Sequence, residues 1–314
     1  MKIALENFRN AIYSPGESAQ ISNAELQQFA KNCVVALAVG GEGSRLKAAT
    51  ESMQVHKTAL RLPSGDTMTE RTIRMYRDAG FSNFVALVFH HAQSVIDVLG
   101  DGSHLDVHIT YSHDPEHSVG RGGAIRNALD NGSISRTKNL IVHNPDDQII
   151  KYEGNFPRDI VAGHLAGVRK GMLATAIVVD GTPYTYTGMK IDHGIVEQIE
   201  MYPFIPIPTH VGVTVFSPGV YDYFTQLFDL TKKIDFESVL FPILANERQL
   251  YSFTIPGRCW LSVNDPKALA KLIELIQSQE PHSFSYGLAR RLPLSCQPRP
   301  DQTQLPVFGL TELR

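Results

Sequence analysis

Residues 34–46, Val34-Val35-Ala36-Leu37-Ala38-Val39-Gly40-Gly41-Glu42-Gly43-Ser44-Arg45-Leu46, constrain this chain more than any other stretch. An apolar run rich in β-branched side chains, with no polar alternation, suits a strand buried on both faces, as in a parallel sheet covered by helices. The run then breaks into glycines and ends on a single cation. Glycines so closely spaced let the backbone approach a polyphosphate and turn N–H groups toward it, and the Arg45 guanidinium can fork onto phosphate oxygens. A phosphate loop is one reading, and an ordinary tight turn is the other that the glycines alone allow. Two familiar loops are excluded. The loop of P-loop NTPases needs Gly-Lys-Ser/Thr where this chain has Gly43-Ser44-Arg45, and the dinucleotide fingerprint needs a third glycine where it has Leu46.

With 314 residues, 43% of them hydrophobic and 19% charged, the chain can bury a full core around that strand. A net charge of −3 and the lack of any basic run argue against nucleic acid as a partner, so a phosphorylated ligand must be met by local charge. Cys33, Cys259 and Cys296 have neither metal-ligand spacing nor an even-numbered disulfide pattern, which fits a reducing cytoplasm. No stretch approaches the ~18 apolar residues of a membrane span, and none reads as a signal peptide, so no membrane association is expected. His104/His108 and His113/His117 are each four apart, but they straddle a strand and a loop, so helical spacing does not gather them into a zinc site. A Gly-x-Ser-x-Gly elbow is missing, which disfavours a serine hydrolase.

Three regions follow: a helical extension over 1–32, a body over 33–279 and a proline-rich arm over 280–314. The extension carries a helix from Ser22 with Glu25 completing a capping box, and it either packs on the sheet or forms part of a subunit contact. In the body, strands near 34–39, 84–89, 107–111, 140–142, 174–179, 211–216 and 250–254 are interleaved with helical segments. Repeated βαβ units and a mostly parallel sheet are the consequence. Residues 184–201 read as a hairpin turning at Asp192-His193-Gly194. Ligands of such sheets bind beyond the carboxyl ends of the strands, where the glycine loop, Gly120 and Asp146 all fall.

The loop Gly40–Leu46 resembles the Gly-Gly-x-Gly-Thr-Arg-Leu signature of the sugar-1-phosphate nucleotidyltransferases. The resemblance continues in order over roughly residues 33–270. Lys57 stands at the lysine of a Pro-Lys segment, and Thr69–Gly80 at the first helix and its exit turn. Gly120-Arg121-Gly122-Gly123-Ala124-Ile125 matches a Gly-Thr-Ala-Gly-Ala-Leu motif, Asn144-Pro145-Asp146 matches Asn-Gly-Asp, and Val211–Ser217 resembles a strand-and-turn segment. It implies a three-layer α/β/α Rossmann-like nucleotidyltransferase fold with a mixed, mostly parallel sheet. The implied enzyme is a cytoplasmic, homodimeric, Mg²⁺-dependent one that joins a nucleoside triphosphate to a sugar or cyclitol 1-phosphate and releases pyrophosphate. By the same resemblance Gly40, Gly41, Glu42, Gly43 and Ser44 with Arg45 hold the leaving phosphates, and Lys57 neutralises the α-phosphate. Asp146 is the metal ligand with Asp147 as its alternative, and Gly120, Gly122 and Gly123 let the backbone pack on the base. Gly188, His210, Gly212 and Arg258 are further candidate substrate-binding positions, with His210 where an asparagine that contacts sugar often sits.

The match departs from the family at three places. Met201-Tyr202-Pro203 stands where a Glu-Lys-Pro lysine binds the sugar phosphate, and Ser262 stands where a second metal-binding aspartate belongs, with Asp265 a substitute if the loop shifts. His210 takes the place of an asparagine. Either an unusual acceptor is bound through Arg258, Arg169 or Lys190, or the chain is a catalytically degenerate homologue that binds nucleotide or sugar phosphate. Retention of Arg45, Lys57 and Asp146 favours the first. A nucleotide-sugar-dependent glycosyltransferase is a third reading, disfavoured because the loop suits an intact triphosphate and no separate acceptor domain is evident.

Overall fold

The structure, a computed structural model, describes residues 2–43, 46 and 54–279. Ser44, Arg45 and the arm 280–314 lie outside the described residues. Helices α1 (Lys2–Ile12) and α2 (Asn23–Lys31) precede β1 (Cys33–Val39). Then come α3 (Met68–Arg77), β2 (Asn83–Val88), α4 (Ala92–Leu99), β3 (His108–His113), α5 (Gly120–Asp130), β4 (Asn139–His143) and β5 (Asp147–Ile149). The chain continues through α6 (Phe156–Val168), β6 (Ala174–Val179), β7 (Thr182–Pro183), β8 (Thr187–Asp192), β9 (Ile195–Met201), β10 (Phe204–Ile205) and β11 (Thr209–Phe216). It closes with α7 (Tyr221–Leu227), α8 (Phe236–Asn246), β12 (Leu250–Ile255), β13 (Trp260–Ser262) and α9 (Pro266–Gln279).

Seven strands form the central sheet in the order β12-β6-β11-β4-β1-β2-β3. All neighbours run parallel except β11, which lies antiparallel to both β4 and β6, so the sheet is mixed. Along β1, Val35, Leu37 and Val39 join one buried cluster, with side chains from α2, α3 and α6, while Val34 and Ala36 join another, with α5, α7 and α8. Successive side chains of a strand point to opposite faces, so an unbroken apolar run needs helices on both. This is the three-layer arrangement that the apolar runs imply. Leu26, Phe29 and Ala30 of α2 are buried in the first cluster, so this part of the extension packs on the sheet. The capping box at Ser22 forms as expected, with Ser22 N donating to Glu25 Oε2 at 2.8 Å and Glu25 N to Ser22 Oγ at 3.2 Å.

Strands β8 and β9 form their own ribbon and turn at Asp192-His193-Gly194, where His193 (φ 44°) and Gly194 (φ 85°) are both left-handed, as a two-residue hairpin turn requires. Met189, Ile191, Ile199 and Met201 of this ribbon are exposed. Among the described residues no helix is long and apolar enough to cross a membrane.

Candidate active site

The glycine loop leaves β1 at the carboxyl end of the sheet, and His56 holds it there. The His56 ring is buried, with Nε2 3.0 Å from the Gly41 carbonyl oxygen and Nδ1 accepting from the Thr58 amide at 3.3 Å. That pattern requires the neutral Nε2–H tautomer, and burial, helped by the Lys57 ammonium, lowers the imidazole pKa to about 4. Gly43 has φ 61° and lies against the stem of Lys57, where a Cβ would come 3.3 Å from Cδ. Lys57 is thereby led inward. Its ammonium pairs with Asp146 and donates to Asn264 Oδ1 at 2.9 Å.

Asp146 belongs to a tight turn between β4 and β5 whose backbone is tied on several sides. Asp147 N donates to the Asn144 carbonyl at 2.8 Å, Val263 N to the Asp146 carbonyl at 2.7 Å, and the Gln148 amide to the Pro145 carbonyl at 2.6 Å. Behind the turn His143 bridges Tyr76 and the Asp147 carbonyl, at 2.9 and 3.0 Å, and burial keeps this imidazole neutral too. The Asp147 carboxylate points into protein: Oδ1 accepts from Trp260 Nε1 at 3.0 Å and Oδ2 from Asn144 Nδ2 at 3.2 Å. Burial, and then the Asp146 charge, push its acid well up. Asp146 therefore faces the cleft, while Asp147 braces the turn and the Trp260 indole. Gly212 makes this bracing possible. It sits at a bulge of β11 with φ 69°, and a Cβ there would lie 2.1 Å from Asp147 Oδ2.

Two cavities of about 240 and 450 Å³ meet at this turn and share Arg121, Asn144 and Asp146. The first is lined by Gly40, Gly41, Lys57, Gly120, Lys233 and Asp235, the second by Asp147, His210, Gly212, Glu237, Trp260 and Ser262. His210 Nε2 stands 3.0 Å from the Val213 carbonyl, and burial lowers its pKa to about 4. Burial raises the Glu237 acid against the opposing pull of Arg121.

The structure thus brings Gly40, Gly41, Lys57, Gly120, Asp146, Asp147, His210 and Gly212 to one cleft. Others fall elsewhere. Gly122 and Gly123 back onto protein rather than the cleft: a Cβ at 122 would lie 2.1 Å from the Phe228 ring, and one at 123 would lie 2.7 Å from Val119 Cβ. Gly188 pairs with Glu200 inside the exposed ribbon, and Glu42 is exposed on the loop but lines neither cavity. Arg258 faces Glu153 at 3.7 Å on the surface, Lys190 pairs with Glu197 in the ribbon, Arg169 follows α6 as its C-cap, and none of the three lines either cavity. Asp265 accepts from Ala268 N at 2.8 Å as a helix cap and does not replace the missing carboxylate. Arg121, Glu237 and Asn264, with Lys233 and Asp235, are cleft residues that the sequence does not single out. Arg121 was hidden inside a glycine motif, whereas Glu237 and Asn264 carry no local signal.

Among the described residues no three His, Cys, Asp or Glu side chains converge as a metal site. Mg²⁺ asks for less, commonly one or two carboxylates with the rest from substrate and water. The turn meets that demand, because Asn144 Oδ1 is a buried oxygen with no hydrogen-bond donor among the described residues, next to Asp146 and Asp147. Hard oxygen donors of this kind fit Mg²⁺ and not a soft metal.

A sequence profile of the nucleotidyl transferase family matches residues 34–279. Mannose-1-phosphate guanyltransferases of Saccharomyces cerevisiae (strain ATCC 204508 / S288c) and Pichia angusta are each 26% identical to the chain, over 232 and 236 residues. Each alignment takes in 73% of this chain and 60% of the relative, so the chain spans about 60% of the length of these curated relatives. Among solved structures, one described as a glucose-1-phosphate thymidylyltransferase of Bacillus anthracis, in complex with sucrose, superposes with a TM-score of 0.60 at 15% identity. That match covers 80% of this chain and 98% of that one. It is a likeness of fold.

Proposed function

The chain belongs to the nucleotidyl transferase family, and from that membership we propose that it transfers a nucleotidyl group from a nucleoside triphosphate to a sugar or cyclitol 1-phosphate, releasing pyrophosphate. The observation that supports this most directly is the meeting of Lys57 and Asp146, 89 residues apart in sequence, beside the glycine loop at the mouth of two joined cavities. Such a transfer needs no protein nucleophile. It needs the attacking oxygen in line with the α-phosphorus and cations on the charge that develops. In this reading the Gly40–Gly41 backbone faces the phosphates, and Lys57 moves from Asp146 to the α-phosphate. Asp146 and Asn144 Oδ1 would hold Mg²⁺, which would supply positive charge to offset the negative charge on the phosphates. Asp147, pinned by Trp260 and Asn144, fixes the turn that aims them. Among the described residues Cys33 and Cys259 are buried and free, which suits a reducing compartment.

The test is pyrophosphate release with Mg²⁺ and each of ATP, GTP, CTP and UTP against a panel of hexose, heptose and cyclitol 1-phosphates. GTP with mannose 1-phosphate comes first, after the yeast relatives. Lys57→Ala and Asp146→Asn should each lower the rate by roughly one to two decades, the effect of losing one charged contact. Tight nucleotide binding without release for any pair would instead make this a binding homologue.

A further inference from the structure

We propose that Arg121 seats the phosphate of the acceptor, taking over from the lysine that this chain lacks. The inference rests on the transferase reading and assigns within it a residue that the family motif does not supply, since that motif carries threonine at this position. Its first support is placement. In the transfer, an oxygen of the acceptor phosphate attacks the α-phosphorus, so the acceptor phosphate must sit where the nucleotide and acceptor cavities join. Arg121 lines both cavities, and it is the one lysine or arginine lining the second among the described residues.

The second support is how the side chain is held. Arg121 Nε donates to Asp235 Oδ1 at 3.2 Å, Nη1 lies 2.9 Å from Glu237 Oε1, and the guanidinium lies over the Phe236 ring at 5.8 Å. The backbone N–H of Arg121 also donates to Asp235, at 2.9 Å. Nη2 has no acceptor among the described residues, so a guanidinium fixed on two sides keeps one edge free for an anion. Beside it both oxygens of the Glu237 carboxylate are buried with no hydrogen-bond donor among the described residues, Oε1 meeting Arg121 as an ion pair only, and they are acceptors suited to hydroxyls of a polyhydroxylated ligand. A guanidinium with one free edge and a carboxylate whose oxygens accept no hydrogen bond, side by side in one cavity, complement a phosphate monoester of a polyol.

The third support is the removal of rivals. Tyr202, at the position of the missing lysine, is 57% exposed with φ 53° and lines neither cavity. Arg258, Lys190 and Arg169 line neither cavity, and Lys233 lines only the first.

Calorimetric titration of the full chain with mannose 1-phosphate, glucose 1-phosphate and myo-inositol 1-phosphate, and separately with GTP and Mg²⁺, tests this. Arg121→Gln should weaken the sugar or cyclitol phosphate that binds by roughly ten- to a hundredfold, the loss of one charge-assisted contact, and change GTP affinity less than about threefold. Arg121→Lys, which keeps the charge against Asp235 and Glu237 if the glutamine variant does not fold, should fall between the two. Tyr202→Ala should bind like the wild type. Unchanged acceptor affinity in Arg121→Gln, an equal loss of GTP affinity, or loss in Tyr202→Ala alone would overturn the proposal, as would failure of all three phosphates to bind the wild-type chain. Pyrophosphate release by the wild-type chain reads the transferase separately: its absence with acceptor binding lost in Arg121→Gln removes the transferase and leaves the phosphate seat.

Discussion

A methyl group in place of one hydrogen of Gly212 would lie 2.1 Å from Asp147 Oδ2 and 2.5 Å from Asn144 Nδ2, on a backbone held at φ 69°. Neither neighbour can retreat freely, because Asp147 is tied to Trp260 and Asn144 to Asp147. Gly212→Ala should cost about 1–3 kcal/mol from the left-handed backbone and the contact together, read as a Tm lower by several degrees. Since small misplacements of catalytic groups are felt steeply, pyrophosphate release should fall by at least about tenfold. An unchanged Tm and rate would show that the turn does not depend on this bulge. Gly212 stood out in the sequence as a candidate substrate-binding position, but its contact with Asp147 did not, because the two are far apart in the chain. Lys57 and Asp146 were readable for the opposite reason: each carries its own local motif. Asp147 was readable as a carboxylate at the sheet edge, whereas its turn toward Trp260 depends on a strand more than a hundred residues later.

At the scale of the element, helix α5 shows how a glycine motif can serve packing. Gly122 lets the helix close on the Phe228 ring, with which a Cβ would overlap, and Gly123 makes room for Val119. Gly122→Ala adds a methyl to a filled space at about 1–3 kcal/mol, against at most ~1 kcal/mol regained in helix propensity. The expected outcome is a lowered Tm with nucleotide affinity within about threefold of the wild type. A base-packing role would give the reverse, weaker nucleotide binding at unchanged Tm. The strands of the central sheet were legible because each is a short, unbroken apolar run. The ribbon β8–β9 was legible because Asp192-His193-Gly194 accommodates left-handed backbone. Helix α1 and the short pairing of β5 with β13 carry too little pattern to be seen, and the pairing is set by tertiary contacts.

At the scale of the whole molecule, the three layers follow from β1 and its neighbours needing cover on both faces, and that much was written in the apolar runs. The antiparallel course of β11 was not, since strand direction depends on how the chain returns from the exposed ribbon. This strand has a consequence in time. During synthesis β1 to β4 can pair as soon as His143 has emerged, yet the far edge of β4 stays open until Thr209–Phe216 has been made. An apolar strand with an open edge is a template for pairing with other chains. Nascent chains halted between these two points should therefore pellet or recruit chaperone, whereas chains halted after β12, which covers the outer edge of β6, should not, and sedimentation of stalled ribosome complexes would distinguish them. Equal solubility at both lengths would mean that β4 is shielded earlier by another segment. The strand that completes the floor of the cleft is, on the ribosome, the one that joins β6 to β4 and closes the seam between them.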